Sequence, residues 1–323
     1  MAVVEPQPWT SYADWLRERH GRPVRRVPVD AGFGCPHRAG GRGSGGCSFC
    51  AGEGGRAPGP ADAMQPAHRG DRLAIRRQVE HAIAHRRGTE AFLLFFQAFS
   101  GTDAPVDELA RIYDAALDLA PFVALSVATR PDCLDESKAD LLASYRGRGL
   151  DVWVELGLQS SCDLTLRRVN RGHTAADFER AAAMARSRGL AVAAHVILGL
   201  PGEGLAEARA TARFLADTGI DGVKVHGLHI VRGSPLALEY RGGELTAPGT
   251  ERLVAYTIDF LERLPPRVVV MRLVTETPPA RLLAPRRPAD KAAFTRRLAD
   301  EMRRRGTCQG ADVPLLDPFT RFD

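Results

Sequence analysis

Between residues 26 and 230, short apolar runs of strand length alternate with amphipathic stretches of helix length, and this rhythm narrows the possible folds more than any other feature. The strand-like runs are residues 26–31, 91–99, 122–128, 151–158, 191–198 and 222–230. Between them lie helix-like stretches at 72–85, 106–119, 137–146, 175–188 and 205–218, the first with Ile75, Val79 and Ile83 at helical spacing. Gly147, Gly149, Gly189 and Gly219 stand where helices should stop, each shortly before a strand. Strand and helix in alternation predict right-handed βαβ units around a parallel sheet. Six such units predict an incompletely closed (β/α)6 TIM-like barrel. A doubly wound sheet fits the same rhythm, and the long loop after the first strand favours the barrel. In either fold, chemistry gathers at the carboxyl ends of the strands.

Of the 323 residues, 44% are hydrophobic and 26% charged, which excludes wholesale disorder. The longest nearly uncharged apolar run, 190–201, falls short of the roughly 18 residues a membrane span needs. Residues 1–20 lack the basic-then-apolar pattern of an export signal, so a cytoplasmic protein without membrane partners is expected. Six cysteines in that setting point to metal binding or chemistry rather than a disulfide scaffold. The net charge is +5, and the last 43 residues hold ten Lys/Arg against six Asp/Glu. Residues 246–323 break the earlier rhythm, with a helix at 252–263, a seventh strand at 267–273 and a basic helix at 288–305. Pro278, Pro279, Pro285 and Pro288 punctuate this stretch as a surface-wrapping extension. The chain therefore divides into a helical lead-in (1–25), a barrel (26–245) and an α-rich C-terminal extension (246–323).

The loop after the first strand carries Cys35, Cys47 and Cys50 among many glycines. Three thiolates suit a soft iron–sulfur cluster, and glycine lets backbone come close to it. A [4Fe–4S] cube normally takes four cysteines, so three leave one iron open to an outside ligand. S-adenosylmethionine (SAM) can fill that position through its amino and carboxylate groups and be cleaved there by one electron. A structural zinc site with His37 or a distant cysteine as fourth ligand is the competing reading, and spacing alone leaves both open.

Downstream motifs shift the balance. The Gly-Phe-Gly-Cys35-Pro loop is followed by Phe96-Gln97-Ala98-Phe99, Thr129-Arg130-Pro131-Asp132, Glu155-Leu-Gly-Leu-Gln159, Asn170-Arg171-Gly172-His173, Gly199-Leu-Pro-Gly202-Glu203 and Lys224-Val-His226. In this order the motifs resemble the YhcC-type radical SAM proteins over residues 12–310. That family is related to the radical domain of the Elongator catalytic subunit and, more distantly, to oxygen-independent coproporphyrinogen oxidase. The resemblance implies a partial barrel of the radical SAM type, with Cys35, Cys47 and Cys50 on a [4Fe–4S] cluster. It implies Phe49 beside the SAM adenine, Gln97, Ser100 and Thr102 near the amino group, and Glu155 and Gln159 on the ribose and methionine moiety. Arg171 would grip the SAM carboxylate with its forked donors. Gly199 would bring backbone to the adenine edge, and His195 would face the interior near SAM. Ser100 and Thr102 also read as ordinary turn residues. His37 stands where the family has Asn, and the cysteine spacing is longer than the common form.

Lys224 and His226 alternate along an apolar strand and should both point into the barrel, which makes them the substrate-side catalytic candidates. Thr129, Arg130 and Asp132 line the same mouth, with Arg130 and Asp132 able to lock the loop. Cys133, Cys162 and Cys308 are scattered and predict no second cluster. Radical chemistry requires an external one-electron donor such as flavodoxin or ferredoxin. The Elongator subunit acts on tRNA, which makes tRNA a candidate partner. Arg296, Arg297, Arg303, Arg304 and Arg305 would contact its phosphates if the terminal helix lay beside the barrel mouth. A small-molecule substrate, or a zinc-stabilised RNA-binding protein without catalysis, are the alternatives.

Overall fold

The computed structural model describes residues 6–38, 45–52, 66–84, 91–274, 276–288 and 290–313. Residues 39–44 of the cysteine loop, residue 85 of the predicted 72–85 helix and residue 289 of the predicted 288–305 helix lie outside them. In chain order the elements are α1 (Tyr12–His20), β1 (Val24–Val29), α2 (Arg72–Ala84), β2 (Ala91–Phe96), α3 (Val106–Leu117), β3 (Phe122–Thr129) and α4 (Glu136–Ser144). They continue through β4 (Asp151–Gln159), α5 (Asp163–Arg168), α6 (Ala175–Ser187), β5 (Ala191–Leu198), α7 (Leu205–Thr218) and β6 (Gly222–Gly227). The chain ends in β7 (Ile230–Val231), α8 (Leu236–Arg241), α9 (Thr250–Glu262), β8 (Val269–Arg272), β9 (Leu282–Ala284) and α10 (Lys291–Arg305).

Seven parallel strands pair in the order β1-β2-β3-β4-β5-β6-β8. Each strand joins beside its predecessor, so the sheet is singly wound and curls in one direction. A doubly wound sheet would reverse its order, and this one does not. Among the described residues no pairing joins β1 to β8, which leaves the half-barrel open along that side. All six residues of β2 are buried, because helices cover one face and lumen side chains the other. Local signals set the helix ends: α6 opens on a Thr174–Asp177 capping box, and α7 and α10 stop at left-handed Gly219 and Gly306.

Two of the six barrel strands are shorter than their apolar runs predict, as is β8 at the edge. β2 ends at Phe96, and Phe99 then takes a left-handed φ of 56° that turns the chain. The 222–230 run splits: β6 ends at Gly227, and β7 leaves the main sheet to pair antiparallel with β9. A continuous apolar run cannot disclose a change of partner.

The larger core lies between the sheet and its outer helices, with Val154, Val192, Val223, Phe178 and Leu215 fully buried in it. Burying each such side chain contributes roughly 1.5–3 kcal/mol. A smaller core fills the lumen at the N-terminal ends of the strands, where Tyr12 and Leu16 of α1 pack with Phe95 and Trp153. The Tyr12 and Trp15 rings meet Trp153 edge-on, with centroids 5.3 and 5.5 Å apart, so α1 plugs the lower end of the half-barrel.

α10 packs Phe294, Leu298 and Met302 into the outer core against α9. Just past it, Gln309 Nε2 donates to Pro265 C=O and Val268 C=O, both at 2.8 Å, and Gln309 Oε1 accepts from Thr10 N–H at 2.9 Å. Those contacts pin the end of α10 beside the start of β8. Arg303, Arg304 and Arg305 therefore lie at the opposite end of the sheet from the cysteine loop. Arg303 pairs with Asp300, and Arg304 and Arg305 both pair with Glu301. The condition on which this helix would contact phosphates at the mouth is therefore not met: charge count in a sequence carries no information on which end of a barrel the helix reaches.

Candidate active site

At the C-terminal ends of the strands, three non-glycine residues among those described hold left-handed backbone: Phe99 (φ 56°), Gln159 (φ 76°) and Asn170 (φ 49°). Such conformations are costly and persist where surrounding contacts impose them, often at functional sites. Here they surround the cysteine loop, which neighbouring elements clasp by its backbone. Ser100 N–H donates to Gly34 C=O (3.1 Å), Ser48 N–H to Val169 C=O (2.9 Å) and Leu236 N–H to Ser48 C=O (3.0 Å). Asn170 Nδ2 donates to Gly46 C=O at 2.9 Å, and His37 Nε2 to Asn170 C=O at 2.6 Å. Gly172 makes this clasp possible, since its φ is +77° and a Cβ there would stand 2.5 Å from the His37 ring.

Cys35, Cys47 and Cys50 are free thiols, and guanidinium groups collect around them. Arg171 Nη1 donates to Cys47 Sγ at 3.4 Å and Nη2 to Gly157 C=O at 2.6 Å, while Arg38 Nη1 reaches Cys50 Sγ at 3.5 Å. Glycine at residue 157 leaves room for this guanidinium, since a Cβ would lie 2.5 Å from Arg171 Nη2 and push it aside. Arg130 is locked by Asp132 through two bonds of 2.8 and 3.1 Å and donates to Arg171 C=O at 3.0 Å. Burial opposes its charge, but Asp132 and the sulfurs of Cys47 and Cys35 raise its pKa above the usual arginine value. Cations gathered on sulfur support the thiolate charge that a soft metal cluster requires.

Four buried polar atoms at this edge, His37 Nδ1, Ser48 Oγ, Arg130 Nη1 and Arg171 Nε, have no hydrogen-bond partner among the described residues. Orphaned buried groups are rare in native proteins, and a bound polar group would satisfy them. No three His, Cys, Asp or Glu side chains among the described residues converge as a ready-made ion cage. The fit to an iron–sulfur cluster rests instead on the donor set: three soft, free thiols, nearby guanidinium groups and orphaned polar atoms. Cys133 is buried, with its thiol pushed up to about 11, mainly by desolvation, and Cys162 and Cys308 lie elsewhere.

The remaining expected SAM contacts divide by exposure. Gln97 and Gln159 are half-buried at the ends of β2 and β4. Phe49 packs against the apolar cluster containing Val169, Leu200 and Leu236. Gly199, left-handed like its loop neighbour Gly202, helps line a cavity of about 240 Å³ with Leu200, Pro248 and Tyr256. Ser100 and Thr102 are both 0% exposed, and their hydroxyls bond Thr129 Oγ1 at 2.9 and 2.6 Å. Thr102 also donates to Cys133 C=O at 2.7 Å, so these side chains brace the loop from beneath.

Deeper in the lumen, Glu155 and Lys224 form an ion pair, each 1% exposed. Glu155 Oε1 accepts from Ser126 Oγ at 2.7 Å, and Oε2 accepts from His195 Nε2 at 2.7 Å as well as from Lys224. Burial opposes ionisation of Glu155, yet Lys224 and His195 hold its carboxyl well below the usual carboxylate range. Desolvation pushes His195 down to about 4 and His226 well below the usual histidine range, so both rings are neutral near pH 7. The two rings lie 5.8 Å apart. His229, pushed down to about 4 by burial, bonds Thr277 Oγ1 at 2.8 Å. Lys224, His226, His195 and Glu155 thus share one polar layer, whereas Ser100, Thr102 and the cysteines belong to the rim.

Arg26 and Arg272 also belong to this layer and were missed from sequence. The guanidinium of Arg26 lies over the Phe95 ring at 4.9 Å, and Lys224 Nζ over the same ring at 4.0 Å. Arg272 is the cross-strand partner of Lys224. Arg26 precedes the buried Val27 and Val29, so the period-two argument that picked out Lys224 could have found it.

Comparisons with known proteins bear on the family and the fold. A family model described as the Radical SAM superfamily matches residues 32–215, and one described as the Radical_SAM C-terminal domain matches residues 220–304. Protein YhcC of Escherichia coli K12 is 39% identical over 270 residues, covering 84% of each chain. A tRNA uridine(34) acetyltransferase of Dehalococcoides mccartyi is 27% identical over 159 residues, covering 48% of this chain and 34% of that protein. The solved structure of an archaeal Elp3 from Methanocaldococcus infernus superposes with a TM-score of 0.65 at 18% identity. The match covers 88% of this chain and 64% of that one.

Proposed function

The chain belongs to the radical SAM superfamily, and from that premise we propose an enzyme that generates a carbon radical at the cysteine loop and uses it on a substrate held in the lumen. When bound, a [4Fe–4S] cluster and SAM supply a 5′-deoxyadenosyl radical and methionine by one-electron cleavage of a carbon–sulfur bond. Cys35, Cys47 and Cys50 are assigned as the cluster ligands, with Arg171 and Arg38 beside the sulfurs. Phe49, Gln97, Gln159 and Gly199 are assigned to SAM. Ser100 and Thr102 hold the rim that carries Gln97, and Arg171 remains our candidate for the SAM carboxylate through its unpartnered Nε. Glu155 and His195 are assigned to the boundary between SAM and substrate. Lys224, ion-paired with Glu155 although burial draws its pKa well below the usual lysine value, orients the substrate, and neutral His226 in the same layer is assigned to proton transfer with it.

A single observation carries this reading. Three free cysteines lie at the mouth of an open parallel half-barrel, ringed by guanidinium groups and orphaned polar atoms. We assign the electron to an external donor such as flavodoxin or ferredoxin, in a cytoplasmic setting. Among the described residues no helix is long and apolar enough to cross a membrane. As substrate we propose tRNA, on the strength of the relative named for tRNA uridine(34) and of exposed Arg232, Arg286 and Arg287 near the mouth.

Anaerobic reconstitution tests the central claim. About four iron atoms and matching sulfide per chain are expected, with release of 5′-deoxyadenosine from SAM on reduction. Replacing Cys35, Cys47 and Cys50 together by Ala should abolish both, while replacing Cys133, Cys162 and Cys308 should leave the iron in place. Stoichiometric zinc without sulfide would instead establish the zinc-protein reading.

A further inference from the structure

Among the described residues, three basic side chains share the lumen with a single buried carboxylate: Arg26 on β1, Lys224 on β6 and Arg272 on β8, with Glu155. Both Glu155 oxygens are already engaged, Oε1 by Ser126 and Oε2 by His195 and Lys224. Arg26 is left against ring faces, 4.9 Å from the centroid of Phe95 and 5.8 Å from that of Tyr12. The Arg272 side chain makes no hydrogen bond or ion pair with any described residue, although Glu155 acts on its charge from a distance. His195 and His226 are neutral and add no counter-charge. Glu276 also acts on Arg272, but it sits exposed on the segment beyond β8, where solvent screens it. Burial draws Arg272 below the usual arginine value, the direction expected of a guanidinium short of counter-charge.

A half-buried guanidinium facing no oxygen is costly, and its forked donors match an oxyanion in two places at once. Arg26 and Arg272 are both half-buried and so accessible from the lumen. We propose that an oxyanion of the substrate, a carboxylate or a phosphate group, binds in the lumen between Arg26 and Arg272, next to the Lys224–Glu155 pair and His226. The inference rests on the radical reading only in taking this barrel as the place where substrate enters. It adds the substrate's chemical class: a molecule with an acidic group at the end that enters the lumen. Arg171, the candidate for the SAM carboxylate, stands apart from this layer at the cysteine edge, hydrogen-bonded to Cys47 Sγ and Gly157 C=O.

The test is a thermal-unfolding titration of the full, anaerobically reconstituted chain with sodium formate and with inorganic phosphate, against sodium chloride at matched ionic strength. Saturable stabilisation by either oxyanion beyond chloride is expected. Arg26→Gln and Arg272→Gln should each weaken apparent affinity roughly tenfold or more, the effect of losing a charge-assisted bond. The charge-keeping Arg26→Lys and Arg272→Lys, more certain to fold, should retain most of it. The surface variant Arg305→Gln should bind as the wild type does. Repeating the titration with saturating S-adenosylhomocysteine separates the two sources of carboxylate. Persisting oxyanion binding supports a substrate site, and its loss assigns the site to the SAM carboxylate and overturns the proposal. Equal affinity in wild type and both Gln variants, or no effect beyond chloride, also overturns it. Iron content and 5′-deoxyadenosine release from the same preparation report separately on the radical reading.

Discussion

Lys224 and Glu155 bury opposite charges in a layer where neither would be stable alone. Lys224→Ala should leave Glu155 as an uncompensated buried carboxylate and lower stability by about 3–5 kcal/mol. Lys224→Met combined with Glu155→Gln should recover most of that loss in urea unfolding. Histidines add a pH dependence with a definite sign. Burial pushes His195 down to about 4 and His173, with help from Arg171, down to about 3. Below the free-histidine value of about 6.5, the unfolded chain takes up protons that the folded chain refuses until its own lower value. Stability is therefore expected to fall as pH drops from about 6.5 towards 4, by up to about 1.4 kcal/mol per pH unit for each such histidine. Glu155 acts in the same sense lower down, its contribution complete above the unfolded carboxylate value of about 4.3 and lost as pH falls towards its depressed folded value. His173→Gln should reduce the slope of melting temperature against pH in the upper interval. An unchanged slope would show that His173 does not stay neutral in the fold.

Two loops and the start of one helix hold the cysteine segment in place. The turn after α5 grips it through Val169 and Asn170, the latter also bonded by His37 of the segment, the loop after β2 through Ser100, and the start of α8 through Leu236. Gly172 sits at the tightest point of that clasp. Gly172→Ala combines a left-handed φ with a contact inside the van der Waals limit, a strain of about 1–3 kcal/mol that the loop must absorb by moving. The expected outcome is iron per chain well below wild type after identical reconstitution, with an unchanged far-ultraviolet circular dichroism spectrum. Full iron loading would mean that the clasp does not position the ligands. At the other end of the barrel, α1 does a helix's ordinary work, closing the lumen with Tyr12, Trp15 and Leu16.

The molecule as a whole separates its basic surfaces. Arg303–Arg305 lie at the closed end, paired with the two carboxylates of Asp300 and Glu301, whereas Arg232, Arg286 and Arg287 are exposed near β7 and β9 on the mouth side. If tRNA is the substrate, filter binding should show affinity falling by about 0.7 log units per log unit of salt for each phosphate contacted on single strands. Changing Arg232, Arg286 and Arg287 to Gln should flatten that slope, and changing Arg303–Arg305 should not. No binding at low salt would remove tRNA and leave a small acidic metabolite as the substrate class.

Residue periodicity, glycine stops and motif order were enough to determine the parallel sheet, the open barrel and the family, because each follows from local backbone preference or from side chains close in sequence. Glu155 and Lys224 were visible for the same reason: a charge in an apolar strand must face inward and find a partner. What the sequence could not supply was which partner. Glu155 meets Lys224 from 69 residues away and His195 from 40, distances closed only by the curl of the sheet. Arg26 and Arg272 join that layer from opposite edges of the open sheet, and α10 carries its arginines to the far end because Gln309 is anchored beside the start of β8. The sequence determined the family through the order of its motifs along the chain, where the spacing of the cysteines alone had left cluster and zinc open. The tertiary structure decided the charge balance of the lumen, since that is a sum over strands that meet only when the barrel curls.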